Sequence, residues 1–305
     1  MSTSKRTIIV TGGASGIGLG ITRFLASQSQ SQSQPNNTQT HIAIFDINPT
    51  AGSEVLVALN KEFHSTTSTD TDTGSGSSVS FSFKHCDVSS WESQAAAFEE
   101  VHAEQGRIDV VFANAGITEK GTLLVSSQEE QGKGKGKPVK PDLRTLDVNL
   151  VGVIYSVKLA IHYISKNEPA TTSGTASRGS IICTASNAGL YPFPVAPIYS
   201  TAKHAVVGLV RSLARPLVKE NIQINALAPS VIETNISSDL ALFKSMVITP
   251  MSTATRAVAQ LLSDPRLTGK VAEVHGENVT FAEPPPYVDE DTERNIEMFW
   301  TLGYA

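Results

Sequence analysis

Short apolar runs alternate along this chain with longer stretches in which apolar residues recur every three or four positions. The runs around Ile8, Ile42, Val111, Ile181 and Ile224 are nearly free of charge, the pattern of parallel strands covered on both faces. Strands are predicted near 7 to 11, 41 to 46, 80 to 85, 108 to 113, 179 to 184, 221 to 227 and 270 to 275. Helices fill the gaps, at about 16 to 28, 50 to 62, 90 to 105, 142 to 166, 198 to 219 and 252 to 263. This alternation predicts an α/β fold, a doubly wound parallel sheet of about seven strands with helices on both faces. Right-handed crossovers then bring the strand C-termini and their loops to one edge, where ligands bind.

Composition changes this picture little. At 305 residues and 40% hydrophobic, the chain is long enough for one large core. Residues 1–275 are assigned to a single dinucleotide-binding and catalytic domain, and 276–305 to a C-terminal extension packing on the pocket or on a neighbouring subunit. That extension carries Pro284 to Pro286, an acidic stretch from Asp289 to Glu293, and too many apolar residues, among them Ile296, Phe299 and Trp300, for a free tail. Two stretches, Ser27 to Asn37 and Ser65 to Ser78, are low in apolar content and predict disordered lengthenings of helix-to-strand connections. Gly132 to Pro138, which alternates glycine with lysine, predicts a solvated loop. A net charge of −5 argues against a nucleic-acid surface. No run of 18 apolar residues predicts a membrane span. The first strand starts too early to leave room for a signal peptide, so a cytoplasmic location is expected. Cys86 and Cys183 do not form a C-x-x-C pair and are expected as reduced, packed thiols, and the histidines lack ligand spacing, so no metal is expected.

The candidate chemistry begins where the first strand ends. Thr11-Gly12-Gly13-Ala14-Ser15-Gly16-Ile17-Gly18 runs from a strand into a helix, a place where backbone N–H groups and a helix N-terminus meet a pyrophosphate and glycine permits the turn. The spacing is G-x-x-x-G-x-G rather than the common G-x-G-x-x-G. Asp46 closes the second strand, placed to accept hydrogen bonds from an adenosine ribose and to repel a 2′-phosphate; capping of the following turn is the alternative. No Arg or Lys lies within Gly12 to Gly18 or Ile47 to Pro49, which favours NAD over NADP. Asn114-Ala115-Gly116 follows the fourth strand, its small residues letting the backbone pass close to a cofactor, and Asn114 either contacts the ligand or ties adjacent strands.

Tyr199 and Lys203 stand four residues apart on a predicted helix and share a face. A phenol titrating near 10 is a poor base at neutral pH, but an adjacent ammonium and a positively charged nicotinamide both favour the phenolate, which makes the pair a usable acid/base. Ser186 follows the fifth strand at the ligand edge, where its hydroxyl would stabilise charge developing on a substrate oxygen.

Together, the glycine turn, Ser186 and Tyr199-Ser-Thr-Ala-Lys203 resemble the short-chain dehydrogenase/reductase family over about residues 5 to 275, with a Rossmann-type fold, and lean towards its NAD-linked 15-hydroxyprostaglandin dehydrogenase-like members. The resemblance implies that Gly12, Ser15, Gly16, Ile17 and Gly18 hold the cofactor, that Asp87 hydrogen-bonds the adenine amine and that Val88 packs on the ring. It implies that Asn149 holds a water against Lys203, which also binds the nicotinamide ribose. Pro229 to Thr234 resembles the P-G-x-x-x-T segment that positions the nicotinamide carboxamide through Ile232 and Thr234. Ser230 replaces the glycine there, and would carry strain if that position needs a positive φ. The family commonly assembles as homodimers or homotetramers through two long helices.

The apolar, proline-rich segment Gly189 to Pro197 lies between two catalytic candidates, and Leu240, Leu242, Phe243, Met246 and Val247 follow as a lid. Such a wall and lid suit a bulky hydrophobic secondary alcohol or ketone, lipid-like or derived from a polyketide or terpenoid. The expected activity is therefore NAD-dependent oxidation of a secondary alcohol. Two rivals stand beside it: a biosynthetic carbonyl reductase, isomerase or cyclase, and a catalytically silent nucleotide-binding module, against which the intact Asn149, Ser186, Tyr199 and Lys203 argue.

Overall fold

The computed structural model describes residues 4–30, 38–64, 78–120, 123, 138–172, 174–234 and 244–303. Its strands are β1 (Ser4–Thr11), β2 (Thr38–Asp46), β3 (Ser78–His85), β4 (Val110–Ala113), β5 (Ala170–Thr172), β6 (Thr175–Ser177), β7 (Gly179–Thr184), β8 (Ile222–Pro229), β9 (Val271–His275) and β10 (Asn278–Phe281). The helices are α1 (Gly16–Gln30), α2 (Pro49–His64), α3 (Trp91–Gln105), α4 (Arg144–Ile164), α5 (Pro197–Lys219), α6 (Met251–Ser263) and α7 (Glu290–Leu302). The central sheet runs β10-β9-β8-β7-β4-β1-β2-β3, parallel throughout except for β10. The winding reverses between β1 and β4, so the loops leaving these two strands diverge and open a crevice at the C-terminal edge.

Burial on both faces explains why the strands read as apolar runs. Ile8, Ile9 and Val10 of β1 are fully buried, as are Ile42 to Phe45 of β2. Residues of α3, α4 and α5 cover one face around Phe98, Val157 and Val206; α1 and α6 cover the other around Ile21, Leu25 and Val258, with α2 adding Leu59 beside Ile44. The ends follow local chemistry: Ser90 caps α3 by accepting from the Ser93 N–H, and Gly106, in the left-handed region at φ 79°, closes it. By length and composition α4 is apolar enough to cross a membrane, but half of its most apolar stretch is buried in the protein, which accounts for that character.

Four features depart from the expectations. An eighth strand, β10, pairs antiparallel with β9 through Asn278↔His275, so the sheet continues past residue 275. A small hairpin, β5 with β6, precedes β7. Helix α1 persists to Gln30, into the serine-glutamine tract, where Ser27 and Ser29 donate to the Phe24 and Leu25 carbonyls and Gln30 reaches across to the Phe63 carbonyl near the end of α2. Finally, α7 lies against the C-terminal half of α5, where Arg215 pairs with Glu297 and the Trp300 ring sits 4.7 Å from both the Arg215 guanidinium and Lys219 Nζ. The remainder of that tract, nearly all of Ser65 to Ser78, and Gly132 to Lys137 lie outside the described residues.

Candidate active site

On the β1 side of the crevice the chain is shaped by its backbone. Gly12 and Gly16 take φ values of 63° and 50°, which glycine alone adopts without strain. A Cβ on Gly18 would stand 2.2 Å from the Gly12 carbonyl oxygen and 2.7 Å from Asn114 Nδ2, so this position has room for no side chain. From β2, the carboxylate of Asp46 reaches the turn. Its Oδ2 accepts from the Ala14 N–H at 3.1 Å and its Oδ1 from the Asn48 N–H at 3.0 Å. Asp46 therefore both braces the glycine turn and caps the turn after β2, and each carboxylate oxygen keeps a lone pair for a further donor.

After β3, Asp87 Oδ1 accepts from the backbone and hydroxyl of Ser89, while the nearly buried Val88 offers its carbonyl to Gln94 Nε2 at 2.6 Å. The same Gln94 amide reaches the Gly152 carbonyl at 2.8 Å and accepts from Ser156, tying this segment to α4. Asn114 binds three strands together: Nδ2 donates to the Thr11 carbonyl, Oδ1 accepts from Thr184 Oγ1 at 3.0 Å, and the Asn114 and Ala115 N–H groups share Thr11 Oγ1. Gly116 passes so near the α5 side of the crevice that a Cβ there would lie 3.2 Å from Asn149 Oδ1 and 3.7 Å from Lys203 Nζ.

On the α5 side the geometry is held by side chains. Asn149, fully buried, grips Ile117 at both ends, accepting from its N–H and donating to its carbonyl at 2.8 Å each. It sits in a π-helical turn, Asp147–Val151, a local widening of the kind that recurs at functional sites. Lys203 is buried, with Nζ donating to the Thr184 carbonyl at 2.8 Å and standing 5.6 Å from the centre of the Tyr199 ring. Burial lowers its pKa to about 8, and the neighbouring Cys183 thiol, itself buried, is pushed up to about 12 and stays neutral. Burial raises the Tyr199 phenol above its ordinary value, and the hydrogen bond from Ser186 acts in the opposite direction. Ser186 Oγ accepts from the Ala188 N–H at 3.1 Å and lies 3.2 Å from Asn187 Oδ1 and 3.5 Å from the Pro229 carbonyl.

The structure thus brings Ser186, Tyr199, Lys203 and Asn149 into one cluster and sets Pro229 at its edge. Among the described residues other than glycine only Asn221 has a positive φ, so Ser230 carries no such strain. Its N–H is instead anchored on the Val274 carbonyl at 2.8 Å and its hydroxyl accepts from Asn187 Nδ2. Ile232 is buried, and Thr234 packs over the glycine turn, where a Cβ on Gly16 would stand 3.2 Å from Thr234 Cβ. Ser15 is exposed on that turn and Ile17 half-buried.

Phe193 places its ring 6.5 Å from that of Tyr199 and is 42% exposed, so it flanks the mouth of the site. Tyr191 turns its hydroxyl to Glu273 on β9 at 3.0 Å, which clasps the proline-rich segment to the sheet. Leu240, Leu242 and Phe243 lie outside the described residues; Met246 and Val247 are exposed. Sequence reasoning passed over Thr11, Thr184, Asn187 and Glu119. The two threonines sit at strand ends beside residues it did single out, whereas Glu119 carries no local signal: its Oε2 accepts from the Tyr199 N–H at 2.9 Å across 80 residues of chain.

A family model described as short chain dehydrogenase matches residues 6–244. The short-chain dehydrogenase/reductase prx7 of Penicillium rubens is 32% identical over 231 residues, which cover 75% of this chain and 73% of the relative. The NADP-dependent dehydrogenase clz5 of Cochliobolus lunatus is 30% identical over 239 residues, covering 77% of this chain and 73% of the relative. The chain spans between 43% and 65% of the length of four further curated relatives. Among solved structures, a short-chain type dehydrogenase/reductase from Mycobacterium marinum aligns with a TM-score of 0.65 over 90% of this chain and 96% of that one, at 21% identity, a likeness of fold.

Proposed function

This chain belongs to the short-chain dehydrogenase/reductase family, and from that premise we propose that it is an NAD-dependent oxidoreductase acting on a secondary alcohol, or the matching ketone, of a bulky apolar molecule. The observation that carries the reading is the cluster of Ser186, Tyr199 and Lys203 at the edge of a crevice whose other wall is a glycine turn with no room for a side chain at Gly18. The turn fits a dinucleotide: Gly12, Gly16 and Gly18 leave the backbone bare, with Asp46 at its rim to hold a ribose diol. When bound, the nicotinamide supplies the two-electron acceptor.

The chain's own residues do the rest. Ser186 donates a hydrogen bond to the substrate oxygen and Tyr199 takes its proton, returning it when the reaction runs towards the alcohol. Lys203 lowers the affinity of the phenol for that proton, and a buried, unpaired ammonium does so with little screening. Asn149, fixed by Ile117, gives the lysine a polar route towards water. Asp87 and Val88 support an adenine. Phe193, with Leu190 and Tyr191 beside it, lines the apolar side of the substrate. We read the active unit as a cytoplasmic homodimer or homotetramer joined through α4 and α5, with one catalytic domain whose sheet runs on through β10.

The NADP-dependent relative makes the phosphorylated cofactor the rival, and the Asp46 carboxylate with no cation in the turns around it stands against that rival. Secondary alcohols of rising length and ring count, offered with NAD⁺ and with NADP⁺, test the whole reading. With NAD⁺, kcat/KM is expected to climb with each buried methylene, worth about 0.8 kcal/mol or roughly fourfold. A flat series, or faster turnover with NADP⁺, overturns the substrate or the cofactor half respectively.

A further inference from the structure

The loop leaving β4 is gripped from α4 at Ile117, Thr118 and Lys120. Asn149 holds Ile117 by its N–H and its carbonyl. Thr145, also fully buried on α4, donates to the Thr118 carbonyl at 3.3 Å and accepts from the Lys120 N–H at 2.9 Å. What remains is the Glu119 side chain, which this bracket presents to the first turn of α5. That helix has no side-chain cap of its own: its N-cap residue is Ala196, and Pro197 opens it. Helix N-termini leave N–H groups without partners and carry a partial positive charge that a carboxylate complements. Glu119 fills that vacancy from a different part of the chain, and the N–H it takes is that of Tyr199.

We propose that Glu119 is a positioning residue for the acid/base: its carboxylate caps α5 at the N–H of Tyr199 itself, setting where the phenol stands, and its negative charge counterweights the Lys203 ammonium. This rests on the reading of Tyr199 as acid/base. Two groups of opposite charge then flank Tyr199, Lys203 with Nζ 5.6 Å from the ring centre and Glu119 at the N–H. The Ser186 hydrogen bond favours the phenolate, and the remaining groups around Tyr199 are neutral, exposed or engaged elsewhere. Ser186 and Asn187 are neutral, the Cys183 thiol on β7 stays protonated, His204 on α5 is exposed with Nδ1 at the Ser200 carbonyl, and Glu273 on β9 is engaged by Tyr191. A base that must take a proton and release it in each cycle works best near the operating pH. Lys203 favours the phenolate, and the carboxylate adds to burial in favouring the protonated phenol.

The test compares Glu119→Gln, Glu119→Ala and Tyr199→Phe in the full chain, following kcat/KM for a secondary alcohol with saturating NAD⁺ across pH 6 to 10, together with NADH affinity and thermal midpoint. Glutamine keeps the acceptor and loses the charge, so the midpoint of the rising limb is expected to move to lower pH by about half a unit or more, with NADH affinity unchanged. Alanine loses both, and kcat is expected to fall a further tenfold or so as the phenol drifts, with glutamine restoring it. A merely structural cap would lower the thermal midpoint and leave the pH midpoint in place. A Glu119→Gln profile that superimposes on the unmodified enzyme's, or moves to higher pH, overturns the proposal. Should Tyr199→Phe keep its rate, the underlying acid/base reading fails instead; should it lose the rate while both Glu119 variants match the unmodified enzyme, only the role of Glu119 fails.

Discussion

The two walls of the crevice are built by opposite means. The wall from β1 to β3 is made of absent side chains: Gly12 and Gly16 turn through positive φ, and Gly18 lies where any Cβ would strike the Gly12 carbonyl. The wall from β4 to α5 is made of side chains that reach across long stretches of sequence, Asn114 to Thr184 over 70 residues and Glu119 to Tyr199 over 80. On the proposed reading the first wall admits a dinucleotide close against its backbone, and any added atom obstructs it. The second has to fix a phenol and an ammonium within a few ångströms, and a lost polar atom disables it. Addition should therefore be ruinous on one side and deletion on the other.

The largest expected effect comes from addition. Gly18→Ala puts a Cβ within 2.2 Å of backbone that cannot yield as a flexible side chain would, so NADH affinity is expected to drop at least about a hundredfold, or ~2.7 kcal/mol. Fluorescence titration measures it, and an affinity within about threefold of the unmodified protein's would remove the contrast between the walls.

Next comes a deletion that separates stability from activity. Lys203 titrates near 8 in the folded protein, below its ordinary 10.5, because it is buried. Between those values the unfolded chain holds more protons, so stability from this group rises as pH goes from about 8 to about 10.5, and at pH 7 the charged lysine opposes folding in full. Cys183 works the other way above about pH 9, since its thiol is raised to about 12. Lys203→Met is accordingly expected to lose turnover by about 10²-fold or more while the ligand-free protein stays as stable at pH 7 or gains about 1 kcal/mol, even with the Thr184 carbonyl left without its donor. Melting curves from pH 7 to 10 read both the gain and its disappearance as pH rises; a destabilised variant at pH 7 would mean that the lysine is held by more than its burial suggests.

The same contrast explains what the sequence made legible. Glycine turns and strands buried on both faces are local, so the glycine wall could be read from spacing, and all seven anticipated strands are present. Tyr199 and Lys203 were legible because a four-residue interval puts two side chains on one helix face. The bracket of Asn149 and Thr145 around residues 117 to 120 exists only once β4, α4 and α5 have packed, and no interval in the sequence announces it. The antiparallel β10 did leave a trace, Gly276-Glu277 between two short apolar runs, but with Pro284 to Pro286 just beyond, it read as the start of a tail. Ser230 shows the converse: a serine in place of an expected glycine suggested strain, and the fold instead gives the loop an ordinary backbone held by the Val274 carbonyl.

The central claim, that the cluster around Tyr199 is an acid/base rather than packing, is tested most directly by Tyr199→Phe in single-turnover formation of NADH from a bulky secondary alcohol at saturating NAD⁺. The ring and its contact with Phe193 remain and only the hydroxyl beside Ser186 is lost. The expected result is NADH binding and a thermal midpoint like those of the unmodified enzyme, with the rate of NADH formation lower by about 10²- to 10⁴-fold at every pH. A variant that binds NADH and still forms it at the unmodified rate would contradict the account.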